Sequence, residues 1–147
     1  VDHVRKQIRE AAAAALTGLA TTGSRVFQSR VYPMQDADLP GLRIYTDEES
    51  VEYDDAGTDN VQARTLTLVV EACAKANADL DDTLDQILKE AEVALTASQT
   101  LGGLCKYTQI SSITTELSGD GEKVTGVGRF TFKVMYYTRQ SAPDTAL

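Results

Sequence analysis

Apolar and polar positions alternate most clearly from Arg64 to Lys75. Leu66, Leu68, Val70, Ala72 and Ala74 fall on one face. Thr65, Thr67, Glu71 and Lys75 fall on the other, with Val69 and Cys73 among them. Side chains of a strand switch faces at every residue, so this pattern predicts a long strand with one face on a core and the other partly wet. The β-branched residues favour strand over helix. A second alternation runs from Val124 to Thr138, with Gly128, Phe130, Phe132, Val134 and Tyr136 sharing a face. Leu42 and Ile44 begin a third. Leu104 to Ser118 alternates only if a bulge near Ser111-Ser112 resets its register. Gly119-Asp120-Gly121 then reads as a hairpin turn.

Two stretches repeat at helical period instead. From Asp2 to Ala20, Val4, Ile8, Ala11, Ala12, Ala15, Leu16 and Leu19 make a narrow, Ala-rich stripe, with Asp2 as the expected cap. Leu80, Leu84, Ile87, Leu88, Ala91 and Leu95 make the second stripe, opened by Asn77 or Asp79 and a run of aspartates that suits the positive end of the helix dipole. Ser24 to Tyr32 reads as a strand ended by Pro33. The order is helix, three or four strands, helix, two strands. It predicts an α+β fold, a two-layer sandwich of mostly antiparallel sheet with two helices packed on one face. The expected division is a single domain over 1–138 and a loose tail over 139–147, where Pro143 stands without apolar periodicity.

Length and composition set bounds on this picture. At 147 residues the chain fits one domain that buries its own core. No apolar run approaches the ~20 residues of a membrane span, and the Ala11–Ala15 region carries too many charges for a signal peptide. A net charge of −8 argues against a free-standing nucleic-acid binder or a protein drawn to anionic membranes. Cys73 and Cys105 read as reduced, partly buried thiols rather than a disulfide framework.

Candidate chemistry is sparse. The lone histidine, His3, lies at a helix end, a poor place to hold a catalytic base. There is no phosphate loop, nucleophile elbow or paired-cysteine motif, and no cofactor is expected. The conspicuous cluster is the acidic arm Asp47, Glu48, Glu49, Glu52, Asp54, Asp55 and Asp59, in a segment without a cation, read as an extended hairpin. Its readings are a solvated mobile loop, an electrostatic contact surface, or a metal site. The spacing of Asp54-Asp55-Ala56-Gly57-Thr58-Asp59 does not match a Ca²⁺ loop.

Taken in order, these features resemble the tail terminator proteins of long-tailed bacteriophages. The matching run is the helix Val4–Leu19, Thr22-Gly23, a short strand ending near Pro33, then Leu39-Pro40-Gly41-Leu42-Arg43-Ile44-Tyr45-Thr46. The acidic loop, the strand from Ala63 to Val70, the helix Leu80–Leu95 and a closing hairpin at Phe130–Tyr137 follow. The resemblance covers roughly residues 4–138. It implies a structural virion protein without catalysis. Such a protein forms a hexameric homo-oligomer on the finished tail, at its neck-proximal end, after assembly in the host cytoplasm. Its implied partners are the tail tube protein and the head–neck connector protein. DNA passes through the ring without specific binding, which a carboxylate-lined lumen would favour. Other readings are a different tail or neck completion protein, or a small-molecule-binding or enzymatic α+β domain. No single family residue transfers to a position here.

Overall fold

The computed structural model describes residues 1–53, 60–118 and 124–147. Two helices, α1 (Val4–Ala15) and α2 (Leu80–Ala97), accompany strands β1 (Val26–Phe27), β2 (Gly41–Tyr53), β3 (Val61–Lys75), β4 (Tyr107–Ser118), β5 (Thr125–Arg139) and β6 (Ala142–Ala146). The sheet order is β1-β2-β3-β5-β4, with β6 also paired to β5. Every pairing is antiparallel except β1 with β2. The α+β architecture expected from the sequence is the one found.

The strand from Arg64 to Lys75 is central, between β2 and β5. Leu66 lies opposite Val134, Leu68 opposite Phe132 and Val70 opposite Phe130. These pairs share the helix-bearing face with Leu42 and Ile44. On that face α2 lays down Leu84, Ile87, Ala91 and Leu95, and α1 lays down Val4, Ile8 and Ala12, followed by its C-cap Leu16, all buried. Each fully buried Leu or Ile contributes about 2 kcal/mol of transfer free energy. The opposite face of β3 is drier than its pattern predicts: Val69, Glu71 and Cys73 are buried too. The long side chains of Arg43 and Arg129 come together over Glu71 from the two neighbouring strands and shield it from water.

Several boundaries moved for local reasons. α1 stops at Ala15 rather than Ala20. The Thr17 hydroxyl donates to the Ala13 carbonyl, and Gly18 takes a φ of 92°. A left-handed residue there ends the helix. Gly18 and Gly23 then close a small turn by bonds of 2.8 Å, Gly18 N–H to Gly23 O and Gly23 N–H to Leu19 O. The cap of α1 is His3, whose Nδ1 accepts from the Arg5 N–H, and not Asp2. Asp79 precedes α2 without a side-chain capping bond, while Asn77 Oδ1 accepts from the Asp79 N–H. Only Val26 and Phe27 of the stretch 24–32 join the sheet, alongside Leu42 and Arg43. Gly41 starts β2 where any Cβ would lie 2.2 Å from the Asp38 carbonyl oxygen.

The bulge expected in β4 is present: the register shifts between Ile110 and Ser112, so Ile110 and Ile113 both face the helix side, opposite Phe132 and Phe130. The hairpin turn expected at 119–121 lies outside the described residues. Residues 139–147 do not form the loose tail that their composition suggested. They turn back as β6, where the Leu147 N–H donates to the Tyr137 carbonyl and Gln7 Nε2 donates to the Asp144 carbonyl. Backbone pairing needs no apolar periodicity, so a strand of this kind leaves no periodic signal.

Candidate functional site

Four members of the acidic arm, Asp47, Glu48, Glu49 and Glu52, lie on β2 where it pairs with β3, and they have different fates. Thr46 pairs with Leu68 and Glu49 with Leu66, so Asp47 and Glu48 together oppose Thr67. Two residues against one is a β-bulge, and it reverses the facing of everything beyond it. Asp47 and Glu48 are exposed, and Asp47 lies 3.6 Å from Arg30. Glu49 turns inward instead. Its side chain is 7% exposed, its Oε2 accepts from Arg64 Nη1 at 2.9 Å, and its Oε1 accepts from the Tyr136 hydroxyl at 2.5 Å. Glu52 is exposed. Asp54, Asp55 and Asp59 lie outside the described residues.

The arm is therefore not the uniformly unpaired cluster that the sequence suggested. Glu49 belongs to a buried knot. Arg64 also donates to Thr138 Oγ1 and Gln62 Oε1. Burial, then the hydrogen bond to Glu49, push the Tyr136 phenol well above its ordinary range. The arginine that neutralises Glu49 lies on the returning strand, fifteen positions away, outside the cation-free acidic segment.

On the sheet face without helices, four charged residues from four strands alternate in sign: Arg43 (β2), Glu71 (β3), Arg129 (β5) and Glu116 (β4). Glu71, 5% exposed, accepts from Arg129 Nε and Nη2 at 3.1 and 2.8 Å on Oε2. Arg43 Nε lies 3.3 Å from Glu71 Oε1, without hydrogen-bond alignment. Arg129 reaches on to Glu116 at 3.2 Å. Arg30 and Tyr45 complete a shallow cleft of ≈ 540 Å³, with the Arg30 guanidinium 4.8 Å from the Tyr45 ring centre. Hydrogen bonding to Glu71 and Tyr45 raises the Arg129 pKa, and burial followed by the Glu71 charge raises that of Tyr45.

The alternation of β3 puts Glu71 on a partly wet face and names no partner for it. The available signal was an acid inside an otherwise apolar run, Leu68 to Ala74, since a buried carboxylate demands a cationic partner. Chemically, the ladder cross-ties the sheet. The Glu71 oxygens face the guanidinium groups of Arg43 and Arg129, with the Tyr45 phenol beside them.

His3 lies near the knot rather than in the cleft. Burial, then the Arg64 charge, lower its pKa. Both thiols are free, and burial raises both pKa values. Among the described residues no group of three or more His, Cys, Asp or Glu could hold a metal, and no helix is long and apolar enough to cross a membrane.

The outer edge of the sheet is the remaining feature. β4 is bonded to β5 on one side, and among the described residues no strand lies on its other side. Ile110, Ile113 and Leu117 are exposed along it.

Residues 3–136 match the family model of phage minor tail protein U. The chain belongs to that family and is a structural component of a phage-type tail. Among solved structures, a chain in the virion of a native gene transfer agent particle matches at 14% identity over 92% of each chain, with a TM-score of 0.36. Among curated proteins, none matches this chain.

Proposed function

We propose that this protein is a tail terminator. Six copies close into a ring on the finished tail tube. One ring face matches the tube end, and the other rejects further tube protein and receives the head–neck connector. The observation that carries this reading is the family match over residues 3–136. The physical features accord with it. Four strands joined by the Arg43–Glu71–Arg129–Glu116 ladder make a rigid wedge. An open edge strand is a liability that proteins either blunt or pair with a neighbour. A head-to-tail interface closes into a ring when its rotation closes. The net charge of −8 suits a passage that lets DNA through without holding it.

Ring formation at the neck-proximal end of the tail is tested by electron microscopy of the purified protein with and without tail tubes. Particles that lack the protein are expected to carry overlong tails, or tails that fail to join heads, while capsids still form. Tails of normal length joined to heads in its absence would return the chain to a different joint of the tail or neck. A small-molecule site is the weaker reading, because the polar groups of the cleft are already engaged with one another.

A further inference from the structure

The two ends of the sheet share a property that neither has alone. β4 leaves one side of its backbone unpaired, with Ile113 and Leu117 exposed, Leu117 at 67%. At the far end, β1 covers only Leu42 and Arg43 of β2. Arg30 donates to the Thr46 carbonyl and Arg5 to the Asp47 carbonyl. From Glu48 to Tyr53 no described strand lies on the outer side of β2, and here Val51 and Tyr53 are exposed, Tyr53 at 58%.

All these apolar side chains are on one face. Ile110 and Ile113 lie opposite Phe132 and Phe130, and Leu117 lies opposite Gly126, which packs under Leu80 of α2. Val51 lies opposite Arg64, whose guanidinium reaches the Tyr136 ring. Both open edges therefore carry an apolar stripe on the helix-bearing side.

We propose that β4 of one copy pairs with the 48–53 segment of β2 in the next copy, so that the sheet continues from subunit to subunit. This rests on the ring reading above and names the joint within it. Three features select a second copy joined head to tail. First, β2, β3, β5 and β4 alternate in direction, so a neighbour in the same orientation brings its β2 antiparallel to β4. Second, the joint places Val51 and Tyr53 in the layer of Ile110, Ile113 and Leu117, burying stripes that the single chain leaves wet. Third, charge selects the pairing. Two β2 segments would set Glu48 and Glu52 against their own copies, whereas between Tyr107 and Leu117 the only acid of β4 is Glu116. Like charges directly opposed across a strand pair are destabilising. The open segment of β2 lies level with Gln62–Thr67 of β3, whereas β4, open along its whole length, runs from the level of Thr65 to that of Lys75, so each joint carries a stagger of one sense. Closing a sheet on itself requires such a stagger.

The test uses two variants of the whole chain, each checked by circular dichroism for a native melt. One has Ile113→Lys with Leu117→Lys on β4. The other has Val51→Lys with Tyr53→Lys on β2. Oligomeric state is read by native mass spectrometry and by microscopy at tube ends. Each variant alone is expected to lose the ring. Mixed in equal amounts they retain one intact joint, and the expected product is a 1:1 heterodimer that grows no further. Rings of wild-type size from either variant, monomers only in the mixture, or homodimers of the β2 variant through β4 would each overturn the pairing while leaving the ring itself standing. Wild-type chain that stays monomeric even at tube ends would remove both the ring and this joint.

Discussion

The Tyr136 hydroxyl donates to Glu49 across the intervening strand β3, tying β5 to β2 just beyond its bulge. The carboxylate is shared with Arg64. An acid that looked like part of a solvated arm is thus one of the contacts that hold the hairpin to the core.

Replacing Glu49 with Gln leaves the largely buried Arg64 guanidinium without its anion. Removing one partner of a buried pair costs about 3 kcal/mol or more. The same change at Glu48 or Glu52, both exposed, is expected to stay within about 0.5 kcal/mol. Urea denaturation midpoints of the three variants separate the buried acid from the exposed ones. Equal midpoints would show that the knot contributes nothing to stability.

Tyr136 gives the knot a pH dependence. Its folded pKa lies above the ordinary value of 10.0, raised by burial first and by the bond to Glu49 second. Its contribution to stability is fully present below the unfolded pKa and is lost as pH rises toward the folded one, because the unfolded chain gives up the proton first. The difference in stability between wild type and Tyr136→Phe should therefore shrink as pH rises above about 10. Near neutral pH the loss of the hydroxyl costs about 1–2 kcal/mol. Paired urea titrations at neutral and alkaline pH read this difference directly, and one that grew with pH would contradict the assignment.

Glu71 is the centre of the charge ladder. Glu71→Gln leaves Arg43 and Arg129 facing each other and should cost about 3–4 kcal/mol. Exchanging all three together, Arg43→Met, Glu71→Leu and Arg129→Met, should cost less than the single change, because no charge is then stranded in a dry site. Thermal melts of both variants decide the matter: a triple exchange worse than the single one would mean that the ladder is a net source of stability.

A chain ending at Thr138 loses β6, the Gln7–Asp144 contact and the Lys106–Leu147 contact. A loss of about 2 kcal/mol, roughly 5 °C in melting temperature for a chain of this size, is expected. An unchanged melt would restore the loose-tail reading of residues 139–147.

Periodicity carried most of the fold. The core strands, both helices and the bulge in β4 followed from where Leu66, Phe130, Ile87 and Ile113 stand in the chain. Each of these signals is local, and burial is the physics behind it. The features that were not legible depend on partners far apart in sequence: Glu71 with Arg129, Glu49 with Tyr136, and β6 with β5. Pairing of this kind has no period. A carboxylate reads the same in a sequence whether water or a guanidinium surrounds it. The composition that marked 47–59 as acidic could not separate Glu49 from Glu48.

The bulge at Asp47 and Glu48 has a consequence for how this hairpin tolerates changes in length. Because those two residues share Thr67 as their opposite number, a chain without Glu48 would pair regularly there, with Asp47 against Thr67 and Glu49 still against Leu66. Every side chain from Glu49 to Tyr53 would keep its present face. A deletion a few positions later, at Ser50, would turn Val51 and Tyr53 to the opposite side. Position 48 is thus a slack link, where a codon can be lost without the far half of the hairpin registering the loss.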